Sequence, residues 1–326
     1  MRQTGYLLLV LFQLGVVSVY ADTGTVDEAD KLKTLAFAAH YNDYSGVYVH
    51  QSGGRVGMSR ITHVSDKDGE HERREELDGG KREIIRSNDQ VWLFADGHRV
   101  KVEMRRIRPA FPALLPEQIA TLKENYAVTR EEDDEVAGYH AQAFVFQPRD
   151  NLRYSRKMWA DSTTGLLLKA VVMDERGYVI EQYAFMELNI NGNIDRSWIV
   201  REKSPAEEPS RQLHPTPPPK AESLAEHCDW QVDALPVGFK KILEMRRPFR
   251  ENKEPVIHLV FSDGLAGISV FIEKADGKTQ HRSGLVEQGE VHIYSRSVGD
   301  SLVTVVGEVP AKTVIQIADS VRYAGQ

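Results

Sequence analysis

The first half of the chain alternates between apolar and polar residues with a period of two. The pattern is clear around Val56–Val64 and recurs at residues 91–95 and 100–104. Successive side chains of a strand point to opposite faces of a sheet, so this pattern predicts half-buried antiparallel strands. Turn sequences separate the strands at the spacing of a meander, which predicts that neighbours in sequence pair in the sheet. These turns are Ser52-Gly53-Gly54, Asp78-Gly79-Gly80, Asp96-Gly97-His98 and Glu175-Arg176-Gly177.

Two segments of the first half favour helices. Residues 26–41 open with acidic side chains, which suit a helix N-terminus, and residues 116–125 place a proline at the first helical position. The first half is therefore expected to be a curved antiparallel sheet that carries a few helices.

Some of the predicted strands are apolar on both faces. Examples are Phe144-Val145-Phe146, Leu166-Leu167-Leu168 and residues 170–173. Such strands need cover on both sides, and a sheet that curls around a helix supplies it. The interior can then be a filled core, which the pattern alone favours, or can leave room for an acyl chain.

A proline-rich stretch at residues 203–223 divides the chain. Pro215-Thr216-Pro217-Pro218-Pro219 cannot pack as regular structure and is typical of an extended, semi-rigid linker. After it, strands are predicted at residues 256–261, 266–272, 291–297 and 301–306, followed by a helix at 311–323. The sequence thus predicts a mainly β protein with some α-helix: a curved antiparallel sheet with helices, the proline-rich linker, and a small C-terminal α+β domain.

The N-terminus has the features of a cleavable export signal. Arg2 supplies the basic start, residues 6–19 are mostly apolar, and Val19-Tyr20-Ala21 fits a peptidase site. The apolar stretch is shorter than the roughly 20 residues that a membrane-spanning helix needs. We therefore expect residues 1–21 to be removed and the remainder to work outside the cytosol as a soluble protein.

The net charge limits the classes of partner, and the cysteine content limits how the fold can be stabilised. The formal net charge of −7 becomes −8 when Arg2 is removed, which argues against nucleic acid as a partner. Cys228 is the only cysteine, so an internal disulfide is excluded. A buried free thiol is favoured over an intermolecular bridge.

No motif of catalysis or metal binding stands out in the sequence. The segment His71-Glu72-Arg73-Arg74-Glu75 lacks the second histidine of a zinc-binding helix, and the acidic run at 131–135 lacks the spacing of a calcium loop. A solvated charged strand and a solvated hairpin tip explain them better. We therefore predict a binding protein without enzymatic activity or cofactor, with an envelope hydrolase as the least favoured alternative.

Two clusters of basic residues stand out against the acidic background. A guanidinium group can hold a phosphate or a carboxylate through two hydrogen bonds, so a phosphorylated glycolipid or an acidic protein could be the target. Ordinary surface arginines are the alternative at this point. The clusters are Lys101, Arg105, Arg106 and Arg108, and Arg246, Arg247 and Arg250.

Several short motifs in both halves resemble one family. In the first half they include Ile61-Thr62-His63, Leu77-Asp78-Gly79 and Arg82-Glu83-Ile84-Ile85-Arg86, while Trp159-Ala160-Asp161 resembles a hairpin of the LolA-type lipoprotein carriers, whose fold the family shares. In the second half they are Leu235-Pro236-Val237-Gly238-Phe239, Ser262-Asp263-Gly264-Leu265 and Gly307-Glu308-Val309-Pro310. Together, and on either side of a proline-rich linker, these motifs resemble the MucB/RseB regulators of the envelope-stress sigma factor.

The resemblance implies a location, a fold and a mechanism. The protein would act in the periplasm, bind the periplasmic domain of a RseA/MucA-like anti-sigma factor and shield it from the site-1 protease. Lipid or lipopolysaccharide would relieve the shielding. Residues 22–202 would form a LolA-like lipid-sensing domain, which is a half-open antiparallel β-barrel with helices. Residues 224–326 would form the anti-sigma-binding domain. A homodimer is possible. A periplasmic lipid or lipoprotein carrier is the alternative function.

Candidate site residues follow from the aromatic strands, the basic clusters and one turn. For a lipid pocket, with side chains pointing inward, we predict Trp92, Phe94, Phe144, Phe146 and Trp159. For an anionic head group we predict Arg105, Arg106 and Arg108. For the protein partner we predict Arg246, Arg247, Arg250, Ser262, Asp263, Gly264 and Leu265.

Overall fold

A computed structural model describes residues 24–102, 111, 119–199, 229–247, 255–275 and 283–325. The predicted export signal at 1–21 and the predicted linker at 203–223 lie outside these residues. The domain boundaries drawn from the sequence therefore stay predictions.

Within the residues that the structure describes, the first domain contains one twelve-stranded antiparallel sheet, two longer helices and a short helical stretch at residues 197–199. The helices are α1 (Gly24–Tyr41) and α2 (Ile119–Asn125). The strands are β1 (Tyr44–Ser52), β2 (Arg55–Asp66), β3 (Gly69–Glu76), β4 (Arg82–Ser87), β5 (Gln90–Ala95), β6 (His98–Val102), β7 (Tyr126–Arg130), β8 (Asp134–Val136), β9 (Tyr139–Pro148), β10 (Ser155–Asp161), β11 (Leu167–Met173) and β12 (Val179–Ile190).

The sheet is an open meander, as the turn spacing predicts. Its order is β6-β5-β4-β3-β2-β1-β12-β11-β10-β9-β7, with β8 paired to β9, so the two ends of the sheet do not meet. The first hairpin shows how the turns set the register: Ser52 pairs with Arg55, and Gly53 and Gly54 between them have φ of 55° and 75°. Two positive φ values in a two-residue loop match the twist of the strands and favour glycine.

Both helices cover one face of this sheet, which we call the inner face. Leu32 and Ala36 of α1 and Leu122 of α2 pack with Phe146 and Met158 in a cluster of buried side chains. Each large apolar side chain buried in this way contributes about 1.5–3 kcal/mol. The opposite side of the sheet is the outer face. The predicted helix at 26–41 is confirmed, and the described part of the one at 116–125 forms α2.

The described part of the second domain contains a six-stranded antiparallel sheet, the helix α3 (Ala311–Ser320) and a separate two-stranded ribbon. Its sheet has the order β14-β15-β16-β19-β18-β17. The strands are β13 (Trp230–Val232), β14 (Lys240–Arg247), β15 (Val256–Ser262), β16 (Gly267–Lys274), β17 (Gly284–Gln288), β18 (Val291–Val298), β19 (Ser301–Gly307) and β20 (Val321–Tyr323). The four predicted strands and the mainly β fold class are confirmed.

The predicted helix at 311–323 is wrong at its end. Helix α3 stops at Ser320, and Val321 takes extended backbone angles, φ −72° and ψ 125°. The last three residues pair with β13 as β20, where the rings of Trp230 and Tyr323 meet edge to face at 5.3 Å. This tertiary pairing outweighs the local preference for helix.

Candidate functional site

Two of the five aromatic residues predicted for a lipid pocket lie on the inner face. Phe144 and Phe146 of β9 are almost completely buried, and they pack against Leu32, Leu122 and Met158. They therefore belong to the apolar cluster beneath the two helices.

Trp159 lies on the other side of the same strands. It follows Met158, an inner-face residue, and it packs with Ala143 and its neighbours in a separate cluster. The Nζ atoms of Lys157 and Lys169 lie 4.6 and 4.5 Å from the centroid of its ring. The inward orientation predicted for Trp159 is therefore wrong, because strand alternation places it opposite Phe144 and Phe146.

Trp92 and Phe94 also lie on the outer face, near the far end of the sheet. Trp92 pairs directly with Ile85, and Phe94 packs against the cluster that contains Ile85. The guanidinium carbon of Arg99 lies 3.8 Å from the centroid of the Trp92 ring. The inward orientation predicted for this pair is wrong too. The five aromatic residues do not form one pocket, and the binding of lipid by any of them stays a prediction.

The predicted basic clusters are only partly described. Arg105, Arg106, Arg108 and Arg250 lie outside the described residues. Arg246 is half-buried on β14, where its backbone pairs with that of Ile257. The backbone of Arg247 pairs with that of Val256. Both stay predictions for the partner surface.

The predicted Ser262–Leu265 turn joins β15 to β16 and contacts the first domain. Asp263 at its centre is 1% exposed. One carboxylate oxygen, Oδ2, accepts hydrogen bonds from Tyr126 Oη at 2.9 Å and from Arg153 Nε at 2.6 Å. The turn therefore carries a buried charge that is neutralised by the other domain, and its role in binding a partner stays a prediction that requires release of this contact.

Arg153 is the first-domain side of this contact. Its side chain is 1% exposed, and it donates to Asp150 of its own domain and to the Val237 carbonyl oxygen of the second. Its guanidinium carbon lies 5.1 Å from the Phe239 ring centroid. The side chain is therefore held between the two domains by charge, hydrogen bonds and an aromatic ring.

Tyr126 completes the buried polar group. Burial raises its pKa well above the usual value, and the neighbouring Asp263 carboxylate raises it further. The hydroxyl consequently keeps its proton and acts as a hydrogen-bond donor to that carboxylate.

Leu265 brings an apolar side chain into the same contact. It comes from the second domain, yet it packs against the first-domain cluster that contains Phe144, Phe146 and Leu122. The turn thus places a charge and a leucine side by side on the inner-face cluster.

Further contacts extend the interface between the domains. Thr313 Oγ1 donates to the Leu152 carbonyl oxygen at 2.9 Å, and Ser52 Oγ donates to Glu290 Oε2 at 2.6 Å. A longer ion pair joins Arg156 Nη2 to Glu308 Oε2 at 3.6 Å. The two domains are therefore docked through several contacts in addition to the one at Asp263.

Sequence reasoning missed Arg153 and Tyr126. The Ser262-Asp263-Gly264 sequence is typical of a solvated turn, and two backbone N–H groups, of Leu265 and Ala266, do donate to Asp263 Oδ1. Nothing in the local sequence shows that the other carboxylate oxygen faces an arginine 110 residues earlier in the chain.

A second charged cluster connects the end of α1 to the sheet. His63 is buried, stacks on Tyr44 and places Nε2 at 3.8 Å from Glu70 Oε1, and His40 Nδ1 also contacts this carboxylate. His63 chiefly, with His40 and Arg86, lowers the pKa of Glu70 to about 2 against the opposing effect of burial.

This lowered pKa predicts a stability loss in acid. A group with a depressed folded-state pKa stabilises the fold above its unfolded pKa, here 4.5, and this contribution disappears as the pH falls towards 2. Urea unfolding at several pH values should show a smaller loss over this range for Glu70→Gln than for wild type. Glu132→Gln, a change in the exposed tip, is the control and should follow the wild-type curve. Parallel curves for wild type and Glu70→Gln would contradict the assignment.

The described part of the chain has neither a metal-binding cluster nor a helix that could span a membrane. Within it, no group of three or more histidine, cysteine, aspartate or glutamate side chains could hold a metal ion. No helix there is long and apolar enough to cross a membrane.

Family models match both domains of the chain. The model described as the MucB/RseB N-terminal domain matches residues 27–202, and the model described as the MucB/RseB C-terminal domain matches residues 225–322. The chain belongs to the MucB/RseB family. The contact described above therefore joins the two family domains, with Tyr126 and Arg153 in the first and Asp263 and Leu265 in the second.

Relatives in the MucB/RseB family match three quarters or more of the chain. The sigma factor AlgU regulatory protein MucB of Pseudomonas aeruginosa is 30% identical over 99% of this chain and 98% of its own length. The sigma-E factor regulatory protein RseB of Escherichia coli K12 is 24% identical over 76% of each chain.

Solved structures of MucB share the fold. The complex structure of Pseudomonas aeruginosa MucA/MucB matches with a TM-score of 0.72 and 27% identity, over 92% of this chain and 100% of that one. A crystal structure of MucB matches with a TM-score of 0.58 and 28% identity, over 92% and 99%.

Proposed function

We propose that this protein regulates a sigma factor by binding the periplasmic segment of a membrane anti-sigma factor. The observation that carries the proposal is the likeness of both domains to MucB in its complex with MucA. The export signal predicted at residues 1–21 supports a periplasmic location. A protein that binds the exposed segment of an anti-sigma factor also covers it, and a protease needs an accessible chain, so binding shields the segment from site-1 cleavage.

Lipid or lipopolysaccharide is proposed to release the anti-sigma factor. A ligand shifts an equilibrium only by its difference in affinity between two states, so lipid must bind the released state more tightly. The apolar cluster on the inner face, around Phe144 and Phe146, supports this part of the proposal because its side chains can make the contacts that an acyl chain needs.

The docked second domain favours regulation over the alternative function of a lipid or lipoprotein carrier. Simple carriage needs a lipid site alone, whereas this chain holds its second domain through the buried Asp263–Arg153 pair. Removal of residues 224–326 separates the two functions: a regulator loses its effect on the sigma-factor response, and a carrier keeps its cellular function.

Reversing the charge of β14 is expected to weaken binding of the anti-sigma segment. The double variant R246E/R247E should bind a fluorescently labelled periplasmic segment about tenfold less tightly. Glutamates in place of the arginines would place like charges against an acidic segment, which disfavours both the encounter and the complex. The control R55E/K67E makes the same change in net charge at exposed positions of the first domain. Equal affinities for the two double variants would remove β14 from the partner surface.

A further inference from the structure

One apolar side chain of the second domain occupies the face that the proposed function gives to lipid. Leu265 packs against the inner-face cluster, whose members include Phe144, Phe146 and Met158. A leucine side chain is a short branched hydrocarbon, and its contacts with aromatic and aliphatic groups are those that an acyl chain would make.

A buried polar clamp holds this leucine in place. The Asp263 carboxylate accepts the Leu265 backbone N–H at 3.0 Å through Oδ1, which fixes the shape of the turn. Through Oδ2 it accepts from Arg153 and Tyr126, which attach the turn to the first domain. Because the same carboxylate does both, the leucine cannot leave the cluster without breaking the contact between the domains.

We infer that Leu265 is an intramolecular plug, and that an acyl chain and the docked Ser262–Leu265 turn compete for the inner-face cluster. The inference rests on the proposed lipid response and gives it a physical route. Lipid would bind where the plug sits, so the loaded first domain could not hold the second domain through Asp263. When the clamp opens, Arg153 keeps Asp150 as a partner from its own domain, and Asp263 is exposed to water.

If Leu265 competes with lipid, its removal raises the affinity of the protein for lipid. Removal of a leucine with a merely structural role would not. The apparent affinity for a ligand is reduced by the fraction of protein in which the site is closed, so removing the plug raises it. Leu265→Ala in the full chain should bind palmitate about tenfold more tightly than wild type, the factor that the burial of one leucine side chain corresponds to. Leu265→Met, which conserves volume, should stay close to wild type.

The matched control is Leu285→Ala. Leu285 is a second-domain leucine on β17 with 39% of its surface exposed, and it lies outside the inner-face cluster. This variant should bind palmitate with wild-type affinity.

A second measurement follows the domains directly. Spin labels at two exposed positions, Tyr178→Cys and Ile242→Cys, report the distance between the domains in a Cys228→Ser background. Palmitate should broaden and lengthen the wild-type distance distribution, and for Leu265→Ala the same change should occur at about tenfold lower palmitate concentration.

The outcomes separate this inference from the function on which it rests. Tighter palmitate binding by Leu265→Ala, with domain opening, supports the plug. Equal or weaker binding by Leu265→Ala overturns the plug and leaves the lipid response standing. No palmitate binding by any variant, with the anti-sigma complex intact, rejects the lipid response and the plug together and leaves the anti-sigma function standing.

Discussion

Replacing Arg153 with alanine should lower the free energy of unfolding by about 3–5 kcal/mol. The reason is the environment of Asp263, which is 1% exposed and has its charge balanced by Arg153 Nε at 2.6 Å. Removing the guanidinium leaves a carboxylate buried without a countercharge. Urea unfolding of the full chain, monitored by circular dichroism, measures the effect.

An exposed arginine provides the control for this change. Arg130 pairs with Asp133 where both side chains are well exposed, 43% and 59%, so Arg130→Ala should cost no more than about 1 kcal/mol. Replacing both buried partners, as in the double variant R153M/D263N, should recover part of the loss, because no isolated charge remains and the asparagine oxygen can still accept the backbone N–H groups of the turn. A loss below about 1 kcal/mol for Arg153→Ala would contradict the buried pair.

Replacing Phe146 with alanine should cost about 3–5 kcal/mol, through lost apolar contacts and the cavity left behind. Phe146 is fully buried and contacts residues from both helices of the first domain. The thermal unfolding midpoint and the urea midpoint should both fall. A loss of this size would distinguish Phe146 from aromatic residues whose side chains are only partly buried.

Phe37→Ala is the matched control for Phe146→Ala. Phe37 lies on α1 with 39% of its surface exposed, so the same substitution removes less buried area and should cost far less. If the two variants lose equal stability, Phe146 is not part of the cluster that holds the helices against the sheet.

The sequence predicts the strands and hairpins of the first domain because their signals are local. Gly53 and Gly54 specify their turn because glycine readily adopts positive φ. The alternation of apolar and polar residues shows which side chains share a face. Alternation does not show which face is inner when both are apolar. Phe144 and Trp159 illustrate this limit, since they occupy adjacent strands and point to opposite sides of the sheet.

The contact between the domains depends on residues far apart in the chain. Asp263 is a typical turn residue by its neighbours, and Arg153 lies in a polar loop. Only the docking of two separate sheets brings them together and buries them. For the same reason, the strand β20 was predicted as helix, because its partner β13 lies 91 residues earlier and no local pattern indicates the pairing.

We propose that this protein binds an anti-sigma factor and releases it when lipid binds. The most direct test titrates a labelled periplasmic segment of the cognate anti-sigma factor with the full chain, and then adds palmitate to the complex while fluorescence anisotropy is followed. We expect saturable binding and a fall in anisotropy on addition of palmitate. Absence of binding by correctly folded protein would contradict the claim, and a complex that palmitate leaves unchanged would contradict its lipid response.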